Sequence, residues 1–280
     1  MQYRQTVSFN RLDKITKTAN QIMEVHHHPE IHHERKKFKE YFLEFLMIFL
    51  AVTMGFFAET IREGISEHGR AKEFASSMIK DLEEDTIQLK GYSTYFNYAA
   101  NKLDTFMSLL AIDEPKNIPS GKLYWYGLFG AAHRYFISND ATFQEMKSSG
   151  SLRFFEKQIE KEVEKYDRLY RSLQSFEQIT QGLYTELRKC RAQFFDFKYL
   201  DAANGLYQKR KSTSFPASID SFLRSNPPLL SADKLLFNQY LELSRSRYFR
   251  PYNIAYSDSL IKQATLLITD LKKEYHLENE

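Results

Sequence analysis

One cysteine, Cys190, stands alone among 280 residues, so no disulfide can form within this sequence and a small disulfide-stapled fold is excluded. A thiol with no activating base beside it in the sequence reads as a small core hydrophobe rather than a nucleophile. Glycine and proline are also scarce, ten and seven, which argues against a loop-rich or strand-rich fold and for long packed helices. Neither sign of charge dominates: 39 basic residues face 36 acidic ones, leaving no overall electrostatic footprint for nucleic acid, and no nucleic-acid-binding motif is present. The chain has no glycine-rich phosphate loop and no nucleophile elbow. HExxH is missing because Glu34 is followed by Arg35, Lys36 and Lys37. These absences point away from an enzyme.

What the chain does have is one long apolar run. From Phe42 to Ala58 there is one charge, Glu44, and no proline. That stretch covers ~25 Å at the rise of an α-helix, just enough for a bilayer core. A buried helix of a soluble protein would show a polar face every three or four residues, and none exists from Phe45 to Thr53. The run begins some forty residues in and no small-x-small cleavage site follows it, so it reads as an uncleaved signal anchor. Arg35, Lys36, Lys37 and Lys39 flank its start, whereas Glu59 and Arg62 form a sparser polar collar at its end. By the positive-inside rule the amino terminus is expected in the cytoplasm. The expected organisation is a basic, histidine-rich cytoplasmic tail over 1–40, a transmembrane helix over 41–60 and an exported helical domain over 61–280.

The run EFLMIFLAVTMGFFAETIRE, with TFQEMKSSGSLRFF further on, resembles a family of uncharacterised single-span bacterial inner-membrane proteins found mostly in the Bacteroidota. The likeness covers about residues 35 to 90 and Thr142 to Phe155. It implies a membrane-anchored helical protein and carries over no activity and no catalytic residue.

Leu12, Ile15, Ala19 and Ile22 fall at helical spacing with Arg11, Lys14 and Lys17 among them, either a surface-lying helix or a frayed tail. Met23 is an alternative start. His26, His27, His28, His32 and His33 follow within eight residues. Such density can chelate zinc, nickel or copper, but Pro29 interrupts helical pairing and no cysteine assists, so a solvated tail without a cofactor is the expected reading. Glu44 sits one turn inside the cytoplasmic end. It reads as a snorkelling anchor near Lys37 and Lys39, or as a polar group facing another helix in an oligomer or larger complex that couples protons or ions.

Beyond the span, Ala71, Ala75, Met78, Leu82, Asp85, Leu89, Tyr92, Phe96, Ala99, Leu103, Phe106 and Leu110 follow steps of three and four, predicting one helix of about forty residues. Asp85 alone breaks the apolar seam and reads as a solvated gap, the alternative being a register or partner device. Pro115, Pro119 and Gly121 end the helix. An aromatic helix is predicted over LYWYGLFGAAHRYF. Its Trp125, Tyr126 and Phe129 suit a core, or a ligand pocket, and its His133 suits a helix surface. Ser138 to Asp140 supply cap chemistry and Gly150 a helix end. A second long helix is expected from about Leu152 to Phe195, through Tyr166, Tyr170, Phe176, Leu187 and Cys190. Lys209, Arg210 and Lys211 lie in an expected exposed loop that could meet phospholipid headgroups or an acidic partner. Two shorter helices follow, through Tyr240 and through Leu267. The fold class is therefore all-α, one transmembrane helix followed by an antiparallel bundle of long helices. The expected function is non-enzymatic, an interaction, scaffold or sensory role with a membrane and a protein partner or second copy as associates and no nucleic acid. The alternative is a membrane-complex subunit using Glu44.

Overall fold

A computed structural model describes residues 37–210, 215–245 and 249–277, and these form helices, turns and short extended links with no strand among them. The chain is all-α. It divides into two compact units, residues 1–59 and 60–280. The basic and histidine-rich tail, including Arg35, Lys36 and the five histidines, lies outside the described residues.

In the first unit the described residues are helical from Phe38 onward, the start of α1 (Phe38–Ile112). Phe42, Leu43, Met47, Ile48, Leu50, Val52 and Phe57 are all exposed and point in directions spread around the helix, so apolar side chains cover its circumference rather than one stripe. Thr53 Oγ1 donates to Phe49 O at 2.7 Å, which satisfies the hydroxyl without water. An 18-residue window of α1 has a mean hydropathy of 2.0 and none of it is buried. By length and composition this helix can cross a membrane.

In the second unit the expected seam is the buried face of α1, from Ala71 to Phe106 and including Asp85. With no proline between Phe38 and Ile112 nothing interrupts the helix. It stops where Glu114 precedes Pro115 and takes an extended backbone. α2 (Ser120–Gly127) and a 3-10 turn (Leu128–Ala131) follow. The single aromatic helix expected here ends at that turn, and residues 132–140 run extended. α3 (Ala141–Ser149) closes on Gly150, whose φ of 72° is the left-handed cap conformation that glycine adopts without a Cβ clash. The remaining helices are α4 (Lys157–Arg191), α5 (Phe197–Lys209), α6 (Phe215–Arg224), α7 (Lys234–Arg245) and α8 (Ala255–Glu274). α5 and α6 occupy a stretch where the sequence shows no clear pattern. Asp196 caps α5 by accepting the Lys198 N–H at 2.8 Å, and Asp233 starts α7 by accepting the Leu235 N–H at 2.9 Å.

Helix directions follow from the contacts. α8 runs opposite to α1, with Lys272 on Glu83 at 3.0 Å and Asp258 on Ser93 at 2.9 Å. It also runs opposite to α4, through Gln263 on Glu162 and, at its amino-terminal approach, Tyr252 stacked on Phe176 at 4.4 Å. The two long helices, expected to pack antiparallel, instead run parallel: Asp85 pairs with Tyr166, and Tyr92 with Glu177. The reason is the extended segment, which returns along α1 in the opposite direction before α4 begins. At the far end an aromatic group joins α1, α7 and the end of α4. Phe194 lies 4.3 Å from Phe237 and 5.4 Å from Tyr240, and Phe106 lies 6.1 Å from Tyr240.

Gly121 is the tightest approach between backbones. Its N–H donates to Ser225 O at 3.0 Å, and a Cβ there would lie 1.9 Å from Phe222 O. Because a backbone carbonyl cannot rotate away as a side-chain end can, Gly121→Ala is expected to cost about 1–3 kcal/mol or more. The measurement is thermal unfolding of the full chain, and an unchanged melting temperature would show that α2 and α6 do not meet this closely.

Candidate functional site

An extended segment with Phe136 and Ser138 buried against helices and Tyr135 and Ile137 exposed has no ladder to take its amide hydrogens, so its inward donors are met by side chains. Here α1 and α4 supply the acceptors. The His133 N–H donates to Tyr95 Oη at 3.1 Å, the Phe136 N–H to Glu177 Oε1 at 3.3 Å and the Asn139 N–H to Asp85 Oδ1 at 2.7 Å. The Thr142 N–H then reaches Asp81 Oδ2 at 3.3 Å. Asp85 is 1% exposed and also accepts from the Ser138 hydroxyl and, at 2.7 Å, from the Tyr166 hydroxyl. The solvated gap expected at Asp85 is thus an interior carboxylate with three donors. Its pKa is pushed above the usual carboxylate range by burial, which outweighs the opposing pull of those hydrogen bonds.

Glu177 is 6% exposed and accepts from the Tyr92 hydroxyl at 2.9 Å, and the Asn253 amide donates in turn to Tyr92 Oη at 2.6 Å. Burial raises its pKa as well. Apolar periodicity does not find Glu177, because it carries the α4 seam through Phe176, which is half-exposed. A cavity of about 30 Å³ adjoins Asp85, lined by Met78, Phe143, Val163 and Leu267 among others. This is room for about one water. The network is therefore a structural core device with no space for a substrate.

Space exists where the extended segment leaves α1. A groove of about 1100 Å³ lies between α1, the Leu128–Arg134 stretch, the carboxyl-terminal part of α4 and α5. Five cations line it, Lys90, Arg134, Arg188, Arg191 and Arg210, against one carboxylate, Asp201. The guanidinium of Arg210 sits 3.9 Å from the centre of the Tyr207 ring and 5.4 Å from that of Tyr98. Arg134 lies 5.6 Å from the Tyr95 ring and Arg188 lies 5.7 Å from the Tyr184 ring. Arg134 and Arg191 each give one N–H to a backbone carbonyl, of Gly91 at 3.1 Å and of Leu128 at 3.3 Å. None of the five forms an ion pair with another described residue. His133 stacks on Tyr184 at 4.4 Å in the same wall, so it belongs to an extended strap rather than a helix surface. Phe129 is buried in the wall and packs edge-on to Tyr207 at 5.1 Å, while Trp125 lies behind it in the core.

The residues singled out in the sequence are distributed differently. Glu44, Lys37, Lys39, Glu59 and Arg62 are exposed along the first part of α1 and do not contribute to the groove. Of the basic trio, Lys209 is exposed, Arg210 turns into the groove and Lys211 lies outside the described residues. Arg134, Arg188 and Arg191 are not among the residues the sequence singles out. The i, i+4, i+7 spacing of Tyr184, Arg188 and Arg191 is the signal that marks them. Among the described residues no three His, Cys, Asp or Glu side chains cluster in a way that could hold a metal ion. Cys190 is buried, with its thiol pushed up by burial.

Comparison with known proteins finds no matching family model, no similar curated protein and no similar solved structure.

Removing the Asp85 side chain strands three donors, so Asp85→Ala is expected to cost on the order of 3 kcal/mol in thermal or denaturant unfolding. The pH dependence has a defined sign. With its folded-state pKa raised, Asp85 keeps a proton in the native chain at pH values where the unfolded chain has lost it. Its contribution is therefore present at low pH and lost as pH rises from ~4 through the folded value. Wild type should lose stability relative to Asp85→Asn across that rise, and a pH-independent difference would contradict the raised pKa.

Proposed function

We propose that this chain is a single-pass protein of a bacterial inner membrane, with its amino terminus in the cytoplasm and a periplasmic helical bundle that acts by binding rather than by catalysis. The observation that carries the binding role is the groove, where five cations, three of them against tyrosine rings, meet a single carboxylate. Such an excess of positive charge, without ion-pair partners among the described residues, suits recognition of an anionic ligand or partner. An interaction, scaffold or sensory role follows from placing that groove on a membrane anchor.

The anchor is supported by the fully exposed apolar surface of α1, which is too large to leave in water. Its orientation rests on Arg35, Lys36, Lys37 and Lys39 before the span against Arg62 after it. The sequence resemblance to single-span inner-membrane proteins points the same way. In this reading Glu44 lies near the cytoplasmic interface, where its carboxylate reaches the headgroups. Any signal leaves the bundle through a partner protein or a second copy.

The test is a labelling experiment. With Cys190→Ser and Asp270→Cys, a membrane-impermeant maleimide is expected to label cells whose outer membrane is permeabilised. Labelling only after lysis overturns the orientation. Glu44→Gln is expected to leave insertion and membrane-complex assembly unchanged. A change in ion flux or assembly would instead make Glu44 part of a coupled membrane complex.

A further inference from the structure

We infer that the groove is a site for a ligand bearing more than one phosphoryl group, a deepening that rests on the binding role proposed above. Guanidinium groups offer planar pairs of N–H donors that match phosphoryl oxygens, and stacking on aromatic faces holds them in place before a ligand arrives. Arg134, Arg188 and Arg210 each lie against a tyrosine ring. Arg134, Arg191 and Arg210 each direct one guanidinium nitrogen to a backbone carbonyl. Most of the five N–H donors of each group are thereby left to the groove.

Among the described residues no carboxylate pairs with these cations, and Asp201 is the one acid in the lining. A single carboxylate ligand would leave several cations uncompensated, whereas a polyphosphate group meets them together. The groove exceeds the ~300–1,000 Å³ of an ordinary small-molecule pocket, so the phosphoryl groups occupy one part and the aromatic wall of Tyr95, Tyr98, Tyr184 and Tyr207 receives an uncharged remainder. The same chemistry is offered by a soluble polyphosphate and by the phosphoryl headgroup of a lipid.

The experiment is calorimetric titration of the purified full chain in phosphatidylcholine nanodiscs with inorganic tripolyphosphate, and separately its sedimentation with phosphatidylcholine vesicles containing cardiolipin, whose headgroup carries two phosphoryl groups. Saturable tripolyphosphate binding that weakens about tenfold in Arg188→Gln, and again in Arg134→Gln, supports a soluble ligand. Vesicle binding alone, with the same loss in both variants, supports a lipid headgroup. Arg188→Lys, which keeps the charge but loses the fork, is expected to fall between wild type and Arg188→Gln. Melting temperatures of all three variants check that the fold is retained. Absence of binding to either probe, or binding that the folded variants leave unchanged, overturns the inference. Maleimide labelling is read independently, so loss of this ligand assignment and loss of the membrane topology are separate results.

Discussion

A stretch of chain that is neither helix nor sheet, yet packs one side against helices, holds its place only if its inward amide hydrogens find acceptors. Residues 132–140 are that stretch, and Asp85 and Glu177 are the acceptors at its centre. Each carboxylate sits in an otherwise apolar seam, one on α1 and one on α4, so the two long helices are tied to the same strap from opposite sides. The strap's return along α1 is what lets α4 run in the same direction as α1. That parallel pair in turn leaves α8 as the helix that runs against both.

The same arrangement divides charge in the second unit. The interior acids are satisfied by hydroxyl and amide donors rather than by arginine or lysine. Neutral donors cost less desolvation than a buried ion pair. Where the strap departs from α1, the arginines of the strap, α4 and α5 converge with tyrosines between them. The groove lies beside the strap's path, and its electrostatic character comes from Lys90, Arg134, Arg188, Arg191 and Arg210 facing one carboxylate, Asp201.

Much of this is legible in the residues alone, and the limits have physical causes. The seam from Ala71 to Phe106 and the long α4 stripe are visible because apolar residues recurring at steps of three and four over forty positions require a helix with one buried face. Gly150 and Asp233 are visible as a helix end and a helix start because cap chemistry is local. The strap is not, because LYWYGLFGAAHRYF carries aromatics at helical spacing and its true conformation depends on acceptors some forty to fifty residues away. Asp85 is hidden for the same reason: a carboxylate in a seam looks like a solvated defect until its donors are located. Of the groove, only Arg210 and the aromatic segment stand out in the sequence. Arg134 comes from the strap and Arg188 and Arg191 from the end of α4, and their convergence is a property of the tertiary path.

The pairing of α1 with α8 also governs the order in which the molecule can be completed. Ser93 and Asp258 are 165 positions apart, and Glu83 and Lys272 are 189, so the first long helix to be synthesised waits for nearly the last. Until residues 255–274 have emerged, Ser93 and Glu83 have no Asp258 and Lys272 to meet. Closing pairs this distant in sequence costs loop-closure entropy, so the α1–α8 contacts are the part of the second unit that local helix formation cannot supply.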